Sequence, residues 1–222
     1  MNQEKWTAVD DYINGLFVAA DPIMDAVLQN SRAAGLPEIN VAPNQGKLLQ
    51  LLAQSHGARS ILEIGTLGGY STIWLARALP ADGKLVTLEF EPKHAEIAQA
   101  NFKHAGFADQ IELHLGKASD SLARLVAEKR GPFDFIFIDA DKESYPEYLT
   151  WALKLARRGT VIIADNLVRK GDVLEANHED PRVHGARRFN ELLASDPRVT
   201  ATLLQTVGSK GYDGFAMAIV IK

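Results

Sequence analysis

The chain has 222 residues, 46% of them hydrophobic, and carries 24 Lys and Arg against 28 Asp and Glu for a net charge of −4. This length and apolar share suffice for one enzyme-sized core, and interspersed acids and bases exclude the basic stripe of a non-specific nucleic-acid binder. Without cysteine there is no disulfide, thiolate metal site or cysteine nucleophile; with neither a leader-like N-terminus nor about 20 consecutive apolar residues, the reading is of a cytoplasmic protein with no membrane partner.

The first region, roughly residues 1–34, reads as helical, broken at Asp21-Pro22 and closed by Gly35. Its aromatics Trp6, Tyr12 and Phe17 suit a pocket lining, a core or a subunit contact. PNQGKLLQLLAQSH follows as an amphipathic helix. Apolar runs then alternate with helical segments: SILEI, KLVTLEF, QIELHLG, FDFIFIDA and TVIIAD are separated by helical stretches, as in a parallel sheet covered on both faces. The basic pairs Lys129-Arg130, Arg157-Arg158 and Arg187-Arg188 fall at helix ends or on helix surfaces in this reading. VTATLLQTV and FAMAIVIK are separated by only GSKGYDG, too short for a parallel crossover, so these last strands pair antiparallel. The fold class is α/β, a single Rossmann-like domain over 1–222 with a helical cap over about 1–40. Its seven-stranded, mostly parallel sheet ends in an antiparallel strand pair, which favours the methyltransferase variant over an all-parallel dinucleotide fold.

In ILEIGTLGGYS, residues 61–71, the spacing is G-x-x-G-G rather than the dinucleotide G-x-G-x-x-G. In such sheets the first strand's glycine turn borders the ligand. Gly65, Gly68 and Gly69 form that turn, and Glu89, 24 residues beyond Gly65 at the second strand's end, suits two ribose hydroxyls. Glu63 separates the candidate ligands, because a carboxylate there repels a pyrophosphate but attracts the ammonium and sulfonium of S-adenosylmethionine. At ~4 Å and an effective dielectric of ~20 such a charge pair is worth roughly 4 kcal/mol. A strand carboxylate satisfied by a backbone donor or a basic neighbour is the competing explanation. Ala118 and Ser119 follow the third strand, where they can meet the adenine edge, although Ser119 or Asp120 also suits a helix N-cap.

FIFIDADK and VIIADN each end an apolar run in an aspartate, Asp139 and Asp165, and Asn166 adds an amide oxygen. Two carboxylates and a carbonyl suit Mg²⁺, with Ca²⁺ or Mn²⁺ as less selective alternatives; capping of the following helices is the plainer explanation. Lys142 stands three residues after Asp139. Lysines ordinarily titrate near ~10.4, and a nearby cation and burial lower that value, which suits a general base. Asp141 either faces the cofactor or pairs with a lysine. The six histidines form no zinc pattern, and His178 and His184 read as loop residues.

Together these stretches resemble the cation-dependent O-methyltransferases of the catechol and caffeoyl-CoA group. From about Val41 to the C-terminus, LEIGTLGGYS, TLEFEP, GKAS, IDADKESY and ADN match that group in order and spacing. The resemblance implies that Glu63, Gly65, Thr66, Gly69 and Ser71 hold the methionine end of S-adenosylmethionine, with Val41 in backbone contact. Glu89 would hold the ribose, and Ala118 with Ser119 would border the adenine. Asp139 would lie beside the cofactor and, with Asp165 and Asn166, bind the metal, leaving Lys142 as the base. The implied acceptor is a catechol-like phenolic small molecule, and the implied assembly is a homodimer. A hydroxylated uridine in tRNA is the alternative acceptor; a NAD-dependent oxidoreductase is the alternative from another class. QTVGSK, the substrate-facing loop in this resemblance, lacks the acidic residue that mammalian catechol enzymes place there.

Overall fold

The computed structural model describes residues 2–222. Helices α1 (Gln3–Phe17), α2 (Pro22–Ala33) and α3 (Pro43–His56) precede β1 (Ser60–Ile64). The chain then alternates through α4 (Tyr70–Ala76), β2 (Lys84–Glu89), α5 (Pro92–His104), β3 (Ile111–Leu115), α6 (Ala118–Ala127), β4 (Phe133–Ile138), α7 (Tyr145–Leu155) and β5 (Ala156–Ala164). After α8 (Pro181–Ser195) it closes with β6 (Val199–Gly208) and β7 (Gly211–Val220). Prolines 22, 43, 92 and 181 open their helices at the first position, where a missing N–H leaves nothing unpaired.

The seven strands lie in the order β3-β2-β1-β4-β5-β7-β6. β1, β2 and β3 pair parallel, as do β4 and β5, while β7 runs antiparallel to β5. This is the anticipated mixed Rossmann-like sheet. Phe135, Ile136, Phe137 and Ile138 are all buried in succession, so both faces of β4 are covered. The hairpin connection is tighter than GSKGYDG suggests: only Ser209 and Lys210 separate β6 from β7. The Gly-rich stretch looked like a loop because tertiary pairing, invisible locally, extends the strand. Arg157 and Arg158 are also relocated, from a helix end to the start of β5. Phe133 pairs with Ala156, and Thr160 donates through Oγ1 to the Phe133 carbonyl at 2.6 Å. Those contacts stop α7 at Leu155 and place Arg157 Nη2 2.5 Å from Asp134 Oδ1.

Two compact units are distinguishable: one runs to Ala118 and includes Gly208–Lys210, and the other comprises Ser119–Val207 with Gly211–Lys222. In the first, the buried Asp10 of α1 accepts from Asn44 Nδ2 at 2.9 Å and from the Ser209 N–H at 2.6 Å. Gln3 Nε2 adds 2.9 Å to the Gly208 carbonyl. The rest of α1 is less engaged, with Tyr12 68% and Phe17 70% exposed and Trp6 half-buried.

Candidate active site

The first unit assembles one carboxylate cluster around the glycine turn. Glu63, fully buried, accepts from Ser71 Oγ at 2.7 Å, Thr72 Oγ1 at 2.5 Å and Thr87 Oγ1 at 2.7 Å. These three donors are hydroxyls from α4 and β2. Hydroxyl donors of this kind meet the hydrogen-bonding need of a buried carboxylate. Glu89 closes β2 and gathers four backbone N–H groups: Thr66 at 3.2 Å and Leu67 at 2.7 Å on Oε2, Phe90 and Glu91 at 2.9 Å each on Oε1. His94 Nδ1 lies 3.5 Å from Oε1. Glu89 thus folds the glycine turn as well as standing beside it.

Gly65 has φ 101° and Gly69 φ 83°, conformations that favour glycine. A methyl at Gly69 would overlap the Phe102 ring, and one at Gly68 the Ser31 hydroxyl. Internal packing accounts for these two glycines. Thr66 is buried with Oγ1 2.5 Å from Thr87 Oγ1. Val41 is buried in the extended segment before α3, its carbonyl accepting from Asn40 Nδ2 at 3.0 Å. Ala118, half-buried, opens α6.

The second unit assembles another cluster at two strand ends. Ile138 pairs with Ala164, so Asp139 and Asp165 follow adjacent strands at the same level, and the Asp165 N–H donates to the Ile138 carbonyl at 3.0 Å. Lys142, 7% exposed, donates through Nζ to Asp139 Oδ1 at 2.7 Å and to the Tyr145 hydroxyl at 2.8 Å. The single Tyr145 O–H is in turn shared between the carbonyls of Ile138 at 3.1 Å and Asp165 at 3.0 Å. Burial, followed by the Asp139 and Asp165 charges, pushes this phenol well above its ordinary value. The hydroxyl therefore keeps its proton, and it links both strand ends to Lys142.

Asn166 is half-buried with φ 58°, a left-handed conformation asparagine tolerates, and its N–H donates to Asp165 Oδ1 at 2.8 Å. Ser119 lies within the first turn of α6 rather than at its cap. Asp141 pairs with a tyrosine rather than with a lysine: Tyr148 donates its hydroxyl to Asp141 Oδ1 at 2.5 Å. Among the described residues no three His, Cys, Asp or Glu side chains converge. The candidate cation set is two carboxylates and one amide.

Residues 17–218 match the family model described as O-methyltransferase. The chain belongs to the O-methyltransferase family. It is 54% identical over 220 residues to a catechol O-methyltransferase of Niastella koreensis, covering 99% of this chain and 100% of that one. A catechol O-methyltransferase of Mycobacterium tuberculosis is 50% identical over 96% of this chain and 94% of its own. Among solved structures, the O-methyltransferase from Bacillus cereus, in complex with SAH, superposes with a TM-score of 0.97 at 58% identity, covering 99% of this chain and 100% of its own. TomG of Streptomyces achromogenes, in complex with SAM and involved in tomaymycin synthesis, gives 0.96 at 51% identity with 100% of both chains covered. Family membership removes the oxidoreductase alternative.

Sequence reasoning passed over Tyr145, although it sits three residues after Lys142 inside IDADKESY, because the motif names a tyrosine without its partners. It also passed over Gly185 of α8. A methyl there would overlap the Lys142 carbonyl oxygen and lie 2.7 Å from the Lys142 carbonyl carbon and 2.8 Å from Glu143 Cα. No local pattern distinguishes such a glycine from an ordinary helical one.

Proposed function

We propose that this protein transfers a methyl group from S-adenosylmethionine to one hydroxyl of a catechol-like phenol, assisted by a divalent cation. The observation that carries the reading is the register of β4 and β5, which brings Asp139 and Asp165 to one level beside Asn166 and Lys142. The donor set fits a hard cation: three oxygen donors from Asp139, Asp165 and Asn166 suit Mg²⁺, or Mn²⁺ or Ca²⁺. The cation would supply positive charge that favours a deprotonated phenol.

S-adenosylmethionine supplies an electrophilic methyl group. The turn fits its cationic end, since Glu63 offers a buried carboxylate held by hydroxyls and Glu89 a second acceptor at the β2 end. In this reading Val41, Gly65, Thr66, Gly69 and Ser71 border the methionine part, Glu89 the ribose, Ala118 and Ser119 the adenine, and Asp139 is a further cofactor neighbour. The acceptor oxygen forms the new O–C bond as the C–S bond breaks with its electron pair to sulfur. Lys142 Nζ, entering the step as the neutral amine, takes the hydroxyl proton and becomes the ammonium. Because the methyl group is already activated, alignment accounts for most of the remaining task.

The test is transfer from labelled S-adenosylmethionine to a panel of vicinal dihydroxy aromatics, with Mg²⁺ and with EDTA. Transfer that EDTA abolishes and Mg²⁺ restores is expected. Transfer undiminished by EDTA would remove the cation; failure on every phenol would remove this acceptor class and direct the assay to tRNA bearing hydroxylated uridine.

The same reading includes a homodimer. α1 leaves Val9, Tyr12 and Leu16 exposed at i, i+3 and i+7, one face of a helix, and β6 exposes Leu204 and Val207 at the sheet's edge. Light scattering coupled to size exclusion is expected to give twice the chain's 24.3 kDa; a concentration-independent monomer mass would sink it.

A further inference from the structure

Beyond Asn166 the backbone enters conformations that side-chain-bearing residues rarely adopt. φ is 58° at Asn166, 53° at Arg169 and 59° at Lys170, followed by Gly171 at 97°. A left-handed non-glycine residue is disfavoured by roughly 1–2 kcal/mol, so three in five positions need support from outside the segment. Asp213 of β7 provides it. Its Oδ1 accepts from the N–H groups of Val168 at 3.0 Å, Arg169 at 2.9 Å and Gly214 at 2.9 Å. Next to it, the Gly214 carbonyl accepts from the Leu167 N–H at 2.8 Å. From the other side Asn190 Nδ2 donates to the Leu167 carbonyl at 3.0 Å.

The approach is close by construction. A methyl at Gly214 would lie 2.5 Å from Val168 Cγ2, so the β7 backbone abuts this segment directly. Asp213 Oδ2 stands 3.8 Å from Arg169 Nη1, a partly exposed pair with little to add to stability. The three N–H groups on Oδ1 are the stronger hold, since a carboxylate accepting from backbone donors is charge-assisted.

We infer that Asp213 is a positioning residue for the oxygen donors of Asp165 and Asn166. It fixes Val168 and Arg169, the second and third residues after Asn166, and thereby the direction in which the strand end presents its carboxylate and amide. The inference rests on the proposed cation reading and adds a residue 47 positions beyond the last candidate ligand. Groups that orient metal ligands typically change metal affinity by about 10–100-fold when removed.

The experiment measures Mn²⁺ binding to the full chain without acceptor, by the loss of the free-ion electron paramagnetic resonance signal, alongside thermal unfolding. Asp213→Ala is expected to raise the dissociation constant by about 10–100-fold. Asp213→Asn keeps an acceptor at Oδ1 but loses the charge that strengthens its bonds to the N–H groups, so its affinity should fall between wild type and the alanine variant; an asparagine variant as weak as the alanine one would mean that charge alone matters and would overturn the inference. Should Asp213→Ala not fold, Asn190→Ala loosens the same segment at Leu167 without touching the hairpin, and weaker Mn²⁺ binding is again expected. Unchanged binding in the folded alanine variants overturns the inference while leaving the cation reading intact. A wild-type chain that binds no Mn²⁺ overturns the cation reading, and the inference with it.

Discussion

Lys142→Ala will lower turnover by about 10²–10⁴-fold, the usual contribution of a positioned general base, with affinity for S-adenosylmethionine unchanged. Lys142 is embedded with Nζ 2.7 Å from Asp139 Oδ1 and 2.8 Å from the Tyr145 hydroxyl. Alanine removes the proposed proton acceptor and leaves those oxygens without their shared donor. The stability loss should be modest, about 1–3 kcal/mol, because Asp139 is partly exposed to water and Tyr145 retains its two carbonyl acceptors. Lys142→Arg separates two roles that alanine confounds. Arginine keeps the positive charge but does not release its proton, so a base at this position predicts an arginine variant as slow as the alanine one. Turnover near wild type in Lys142→Arg would show that charge, not proton transfer, is what the site needs. Isothermal titration with S-adenosylmethionine and steady-state kinetics on the same preparations provide both readings.

Gly185→Ala will lower turnover by about 10²-fold even though residue 185 bears no chemistry, the scale expected of a 1 Å misplacement. Two effects oppose each other here. Helix propensity alone favours alanine over glycine by roughly 1 kcal/mol. Against it, the new methyl overlaps the Lys142 carbonyl oxygen and crowds Glu143 Cα at 2.8 Å, and both neighbours are backbone that cannot rotate away. Overpacking of this kind costs about 1–3 kcal/mol, so the contact wins. α8 or the turn carrying Lys142 must shift. Kinetics should therefore show a fall in kcat at retained S-adenosylmethionine affinity, and calorimetry a lowered Tm. A variant with raised Tm and full turnover would mean that α8 accommodates the methyl and does not position Lys142.

The alternation of apolar strands with helices was legible because each signal is local: SILEI and FDFIFI are continuous apolar runs, and four prolines mark helix starts. Strand ends were legible for the same reason, and with them Glu89, Asp139 and Asp165. β7 was read too short and β5 too late, since Tyr212, Asp213 and Arg157 join strands through pairing with residues far along the chain. Glu63 was singled out for its charge, but its three hydroxyl donors come from Ser71, Thr72 and Thr87, and only the folded sheet brings Thr87 alongside.

By itself, then, the amino-acid sequence determined the α/β class, the mixed sheet with its antiparallel finish, and the acidic and amide residues that end the strands. Tertiary structure alone decided how those residues are held: Tyr145 between Lys142 and two carbonyls, Gly185 against the Lys142 backbone, and Asp213 on the N–H groups after Asn166. The reason is physical. Periodicity and turn chemistry act over a few residues and leave a local imprint, whereas hydrogen bonds and backbone contacts between residues 20 to 45 positions apart exist only once the sheet has formed.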